Sequence, residues 1–123
     1  MAATQVITLI VEDDASTREF LVRALEKKGL GTVQAASVGE ALVALEREPQ
    51  PTSVVLDLML PDANGVVILR RIRRNEIPIR VAVVTGMADP NGFFEALKLV
   101  PDKIFKKPLK LGELLEWCAA GEA

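Results

Sequence analysis

The stretch Ser53-Val54-Val55-Leu56-Asp57-Leu58-Met59-Leu60-Pro61 decides how this chain is read. Ser53 to Leu56 lacks the apolar and polar alternation of a half-exposed strand. It therefore reads as a strand buried on both faces, the kind that parallel sheets use. Asp57 stands at the end of that run, where a carboxylate adds nothing to packing. Burying it unpaired would be costly or would force it to stay protonated, so chemistry is the better reason for its presence.

Outward from this strand the pattern repeats. Val6 to Val11 is a continuous β-prone run, followed by Ser16-Thr17-Arg18-Glu19, a Ser-x-x-Glu capping box opening a helix with Phe20, Leu21, Ala24 and Leu25 on its apolar face. Gly29 is placed to end that helix in a left-handed turn. Gly31 to Ala36 predicts a second strand. Ser37-Val38-Gly39-Glu40 opens a second helix, with Ala41, Leu42 and Leu45 inward and its end before Pro49.

After the Asp57 strand, Leu58 to Asn64 predicts a loop, and a third helix carries Val66, Leu69 and Ile72. Ile79 to Val84 predicts a fourth strand ending at Thr85-Gly86. Asn91 to Leu99 predicts a fourth helix anchored by Phe93, Phe94 and Leu97 and stopped by Pro101. Lys103 to Lys106 and Leu111 to Ala120 complete a fifth pair. Five βα units in series predict an α/β fold, a parallel five-stranded sheet in a three-layer sandwich, because right-handed crossovers allow little else. Every strand of such a sheet delivers its carboxyl end to one edge, where ligands bind. Glu12, Asp13, Asp57, Thr85 and Lys107 are then expected to converge.

Composition narrows the chemistry. With 123 residues, half of them hydrophobic and 4% aromatic, the chain predicts one domain, residues 1–123, with an aliphatic core. A net charge of -2 does not suggest a surface made for nucleic acid. The count of zero histidines excludes His-based acid–base catalysis, the usual zinc sites and a phosphohistidine of the chain's own. Cys118, the single cysteine, reads as a small core residue. The first residues lack a signal-peptide pattern and no apolar stretch approaches ~20 residues, so the expectation is a cytoplasmic protein without membrane contact.

Three converging carboxylates repel one another unless a cation neutralises them, and a hard divalent ion takes oxygen ligands of this kind. Thr85 can donate to a phosphoryl oxygen, and Lys107 adds a compact positive charge. Together these residues describe a phosphoryl-transfer site with Asp57 as nucleophile. Each also has a plain structural reading: Glu12-Asp13-Asp14 as a solvated loop at a helix N-terminus, Thr85 as a strand residue, Lys107 as surface.

The combination of Val11-Glu12-Asp13-Asp14, Leu56-Asp57-Leu58-Met59-Leu60-Pro61-Asp62-Ala63-Asn64-Gly65, Val84-Thr85-Gly86 and Lys107-Pro108 resembles the CheY-like receiver domain of two-component response regulators, over essentially the whole chain. The resemblance implies a flavodoxin-like sheet of order 2-1-3-4-5. It also implies Asp57 as phosphoacceptor, Thr85 and Lys107 as contacts of the phosphoryl group, and room for that group at Gly86. Mg²⁺, with Mn²⁺ able to substitute, would be held by Glu12, Asp13, Asp57 and the Met59 carbonyl, with Asp14 peripheral.

The partner implied upstream is a histidine kinase or a histidine phosphotransfer protein. Downstream, output would pass to a protein partner or to an effector region outside these residues, with no direct nucleic-acid binding. A phosphorylation-dependent dimer through helix 4, strand 5 and helix 5 fits the same pattern. The chain is expected to catalyse only its own phosphoryl transfer and loss. Two rival readings are a degenerate receiver that binds partners without phosphorylation and a small aspartate-nucleophile phosphohydrolase. Against the latter, Met59 stands where those enzymes carry a second Asp.

Three departures from the family pattern stand out. Ile104 occupies the position of the usual switch aromatic, with Phe105 on the opposite face of the strand. Val100-Pro101 replaces the Gly-Ala that commonly follows helix 4. Met59 and Met87 flank the site with bulky apolar side chains, which predicts slow hydrolysis of the acyl phosphate. The run Arg70-Arg71-Ile72-Arg73-Arg74 reads as a solvated helix face around a buried Ile72.

Overall fold

The computed structural model describes residues 6–86 and 90–120. Five strands, β1 (Ile7–Val11), β2 (Gly31–Ala35), β3 (Ser53–Asp57), β4 (Arg80–Thr85) and β5 (Lys103–Lys106), alternate with five helices. The helices are α1 (Ala15–Lys27), α2 (Val38–Glu46), α3 (Val66–Arg74), α4 (Pro90–Lys98) and α5 (Leu111–Ala119). All strand pairs are parallel, in the order β2-β1-β3-β4-β5. The flavodoxin-like topology and the element order agree with the sequence reading. Asp57 is the last residue of β3, in register with Val84, rather than the first residue past the strand.

Side chains alternate across the sheet and make two cores. Leu9, Val11, Val54, Leu56, Val81 and Val83 pack against α2, α3 and Ala96 of α4. Ile10, Val55, Ala82, Val84 and Phe105 face the opposite layer, where Leu21, Val22 and Leu25 of α1 meet Leu114 and Cys118 of α5. Alternation thus puts Phe105 in the α1/α5 layer, edge-on to Trp117 with ring centres 6.5 Å apart. Thr8 and Ser53, both buried, share a hydroxyl hydrogen bond of 3.0 Å. Cys118 is a buried core residue as expected, and burial pushes its thiol up to about 11.

Several local expectations are corrected. Helix α1 begins at Ala15, so Ser16 falls inside its first turn and the capping box predicted there does not form. Asp14 is the cap: one carboxylate oxygen accepts from the Thr17 N–H at 2.8 Å and from its hydroxyl at 2.6 Å. At α2 Ser37 does cap, accepting from the Glu40 N–H at 3.2 Å, while Glu40 accepts from the Ala36 N–H at 3.1 Å rather than from Ser37. Phe20 is 58% exposed and Leu97 41% exposed, so neither anchors its helix. Val22 takes the inward place on α1 and Ala96 on α4, while the side chain of Phe94 lies outside those described. Gly29, at φ 81°, does close α1 in the left-handed region.

The arginine run is largely accounted for. Ile72 is buried, Arg70 pairs with Glu95 of α4 at 2.8 Å, and Arg71 approaches Glu46 of α2 at 3.9 Å. Arg73 reaches across to the end of α4, donating to the carbonyls of Leu99 at 3.1 Å and Val100 at 2.8 Å and to Asp102 at 3.2 Å. Asp102 also accepts from the Val81 N–H at 2.7 Å. This clamp surrounds Val100, a β-branched residue at φ 50° with 72% of its surface exposed. That conformation is natural for glycine and strained for valine.

Because so little of Val100 is buried, Val100→Gly removes strain without opening a cavity. It is expected to raise the free energy of unfolding by about 1 kcal/mol, the relief outweighing the added freedom of glycine in the unfolded chain. Urea denaturation checks this, with a higher midpoint at unchanged slope.

Candidate functional site

The carboxyl edge of the sheet gathers Glu12, Asp13, Asp57 and Lys107. Glu12 follows β1 directly, held by its N–H to the Ala35 carbonyl at 3.0 Å, and Asp13 comes next, exposed. One carboxylate oxygen from each of Glu12, Asp13 and Asp57 lies within 4.8 Å of the others, a grouping able to hold a metal ion. Asp14 stands outside the cluster and caps α1 instead.

Asp57 is 5% exposed and both of its oxygens have donors. The Met59 N–H donates to Oδ1 at 2.9 Å, and the Lys107 ammonium to Oδ2 at 2.9 Å. The Lys107 side chain remains about half exposed. This hydrogen bond to Asp57 is the main reason its pKa lies above the ordinary 10.5. A cavity of about 280 Å³ opens beside the pair, with Glu12, Asp57 and Lys107 above Val11, Val55 and Val84.

Glu12 registers the crowding. Burial first, then a hydrogen bond from its protonated form to Asp57 and the charge of Asp57, push it from 4.5 up to about 7, with Lys107 pulling the other way. A second carboxylate beside an ionised one in a partly dry site favours its neutral form.

Thr85 is placed differently. It is buried at the end of β4, on the opposite face from Val84 by alternation, and its hydroxyl donates to the Gly86 carbonyl at 3.1 Å. Its link to the cluster runs through the backbone, since the Lys107 N–H donates to the Thr85 carbonyl at 2.9 Å. A methyl group on Gly86 would meet the Lys107 stem at 3.8 Å, an ordinary contact. Met59 touches Asp57 through its N–H, and its side chain is 51% exposed. Met87 lies outside the described residues.

Two further residues shape the loop after Asp57, and local sequence reading gave them no such part. Gly65 closes on the strand end: a Cβ there would sit 2.5 Å from the Asp57 carbonyl oxygen and 3.0 Å from both Leu56 Cδ1 and Leu58 Cα. Asp62 reaches the N-terminus of α2, accepting from the N–H groups of Val38 at 2.9 Å and Gly39 at 3.0 Å. Those donors hold its carboxyl below the usual range. The close approach of this glycine and the distant partners of Asp62 leave no mark on neighbouring residues.

A doubly wound parallel sheet with a lysine-capped carboxylate cluster at its carboxyl edge defines the flavodoxin-like class of the CheY type. The chain belongs to the response regulator receiver domain family, whose model matches residues 8–119. It is 30% identical over 110 residues to the phosphate regulon transcriptional regulatory protein PhoB of Pseudomonas aeruginosa, covering 87% of this chain and 47% of PhoB. It is 35% identical over 107 residues to the DNA-binding response regulator MtrA of Mycobacterium tuberculosis, covering 87% of this chain and 46% of MtrA. The chain therefore spans about half the length of these relatives. Among solved structures it resembles a response regulator receiver protein from Pseudomonas putida, with a TM-score of 0.87, 28% identity and coverage of 97% and 99%. A CheY-like receiver domain from Methanospirillum hungatei gives 0.86 at 27% identity, covering 95% of this chain and 93% of that one.

Two measurements probe this geometry. A carboxyl whose pKa rises on folding stabilises the fold below its ordinary value of 4.5, and that contribution is lost as pH rises through about 7. Metal-free protein in chelator should therefore show a melting midpoint that falls across this interval, with a flatter profile in Glu12→Gln. Asp14 and Asp62, held low by hydrogen bonds, titrate on the acid side of the interval and leave its slope alone. Gly65→Ala is expected to cost about 1–3 kcal/mol in urea denaturation, because the added methyl meets backbone that cannot step aside.

Proposed function

We propose that Asp57 accepts a phosphoryl group from a phosphohistidine of a partner histidine kinase or phosphotransfer protein. The observation that carries this reading is a carboxylate 5% exposed, capped by Lys107 at 2.9 Å and grouped within 4.8 Å of two further carboxylates. A network that served stability alone would not gather like charges in this way.

The donor set, three carboxylates with an oxygen from each within 4.8 Å of the others, fits a divalent cation with a preference for oxygen, Mg²⁺ or Mn²⁺ in its place. Glu12, Asp13, Asp57 and the Met59 carbonyl would hold it. Bound there, it would neutralise carboxylate charge and the charge on the phosphoryl oxygens. In the transfer, an Asp57 oxygen attacks phosphorus as the phosphorus–nitrogen bond to the imidazole breaks, and the bonding electron pair leaves with that nitrogen. Lys107, on its flexible half-exposed stem, shifts its ammonium from Oδ2 to the arriving phosphoryl oxygens. Thr85 exchanges the Gly86 carbonyl for a phosphoryl oxygen as its hydrogen-bond acceptor.

The phosphorylated state then favours one of two conformations and changes affinity for a partner, through the surface of α4, β5 and α5. A dimer formed through that surface is one such outcome, and an effector region outside these residues is another. Rotation of an aromatic at Ile104 is not available, and Phe105 is committed to Trp117 in the α1/α5 layer. The Thr85 shift is the element left to carry the signal.

Receiver domains are in general signalling modules rather than enzymes, and we place this chain in the cytoplasm as a self-directed phosphoacceptor. No helix among the described residues is long and apolar enough to cross a membrane.

Intact-mass measurement after incubation with acetyl phosphate or phosphoramidate and Mg²⁺ should show the addition of one phosphoryl group, absent in Asp57→Asn. An unmodified wild type that still bound the cation would point to a degenerate receiver and end this reading.

A further inference from the structure

The peptide of Glu12 sits where β1 stops pairing: the last partners in the sheet are Val11 with Ala35 on one side and Val11 with Leu56 on the other. Its N–H is satisfied by the Ala35 carbonyl. Its carbonyl, beyond the ladder, takes a side-chain donor instead, Arg18 Nη1 at 2.8 Å. The same guanidinium donates through Nε to Gln34 Oε1 at 3.2 Å. Arg18 therefore bridges two elements, α1 and β2, and grips the backbone of the acidic pair between them. A planar guanidinium can hold two acceptors in fixed directions, which an ammonium cannot.

We propose that Arg18, oriented by Gln34, is a positioning residue for Glu12 and Asp13, fixing the loop from which both carboxylates reach the cation site. This rests on the metal reading above and extends it beyond the ligands themselves. Groups of this kind orient a site without touching the ion. Arg18 is also a positive charge near a cation site, so its two possible influences have opposite signs. If charge alone mattered, removing it would tighten cation binding. If it holds the loop, removing it weakens binding.

The experiment is calorimetric titration of metal-free protein with Mg²⁺, comparing wild type, Arg18→Gln, Arg18→Lys and Gln34→Ala. Loss of the guanidinium is expected to weaken binding about tenfold, the lower end of the range for groups that orient ligands. Arg18→Lys keeps the charge and should recover little of this. Gln34→Ala changes no charge at an exposed position and should weaken binding by a smaller factor. It carries the test if the Arg18 variants fold poorly. With acetyl phosphate as donor, the Mg²⁺ concentration for half-maximal phosphorylation should rise more than the maximal rate falls.

Tighter or unchanged binding in Arg18→Gln, or full recovery in Arg18→Lys, would overturn the positioning role while leaving the metal site standing. A wild type that bound no Mg²⁺ would overturn the metal reading and this inference with it.

Discussion

A negative charge held in a nearly dry place needs a positive one, and the carboxyl edge of this sheet is organised by that need. Asp57 ends the central strand at 5% exposure, and Lys107, fifty residues further along, meets it at 2.9 Å. An ion pair so placed is weak evidence for stability, because desolvation offsets most of the attraction. Its value lies in what it leaves possible: the lysine is half exposed and can move, while the aspartate is locked by β3 and by the Met59 N–H. Glu12 and Asp13 add two more carboxylates, and Glu12 is pushed up by its own burial first and then by Asp57 beside it.

Holding three acidic groups together requires backbone that resists their repulsion, and the loops after β1 and β3 are each tied down at more than one point. Asp14 caps α1, Arg18 grips the Glu12 carbonyl, and the Glu12 N–H remains bound to β2. On the other side the loop after Asp57 is closed at its base by Gly65 against the strand and fastened at its tip by Asp62 to α2. Both loops are thereby anchored to the β2 and α2 side of the sheet. The segment from Gln34 to Gly39 carries no group expected to do chemistry, and the acidic site leans on it all the same.

Away from the acidic cluster, the end of α4 is built on a strained valine where glycine would sit without strain. Val100 is held at φ 50° by the Arg73 side chain, which also engages Asp102 beside β4. An arginine run that invites a nucleic-acid reading thus contributes a brace between α3 and the α4–β5 connection.

The sequence by itself determined the element order, the parallel sheet and the convergence of Glu12, Asp13, Asp57 and Lys107, because these follow from local periodicity and from right-handed crossovers. It also placed Phe105 away from the switch position, since alternation along a strand is a property of the strand alone. Its misses at Phe20 and Leu97 have one origin. A helical face can be read as apolar, but which flank of it a neighbour covers depends on where that neighbour sits. The cap at Asp14 rather than Ser16 turned on where α1 begins. Only the tertiary structure decided the partners of Asp62 and Arg18, the closeness of Gly65 to Asp57, the strained turn at Val100 and the engagement of the Thr85 hydroxyl by Gly86. Asp62 meets α2 more than twenty residues away, and even the nearer contacts depend on how the chain is folded back, so local composition carries no record of a distance that packing alone sets.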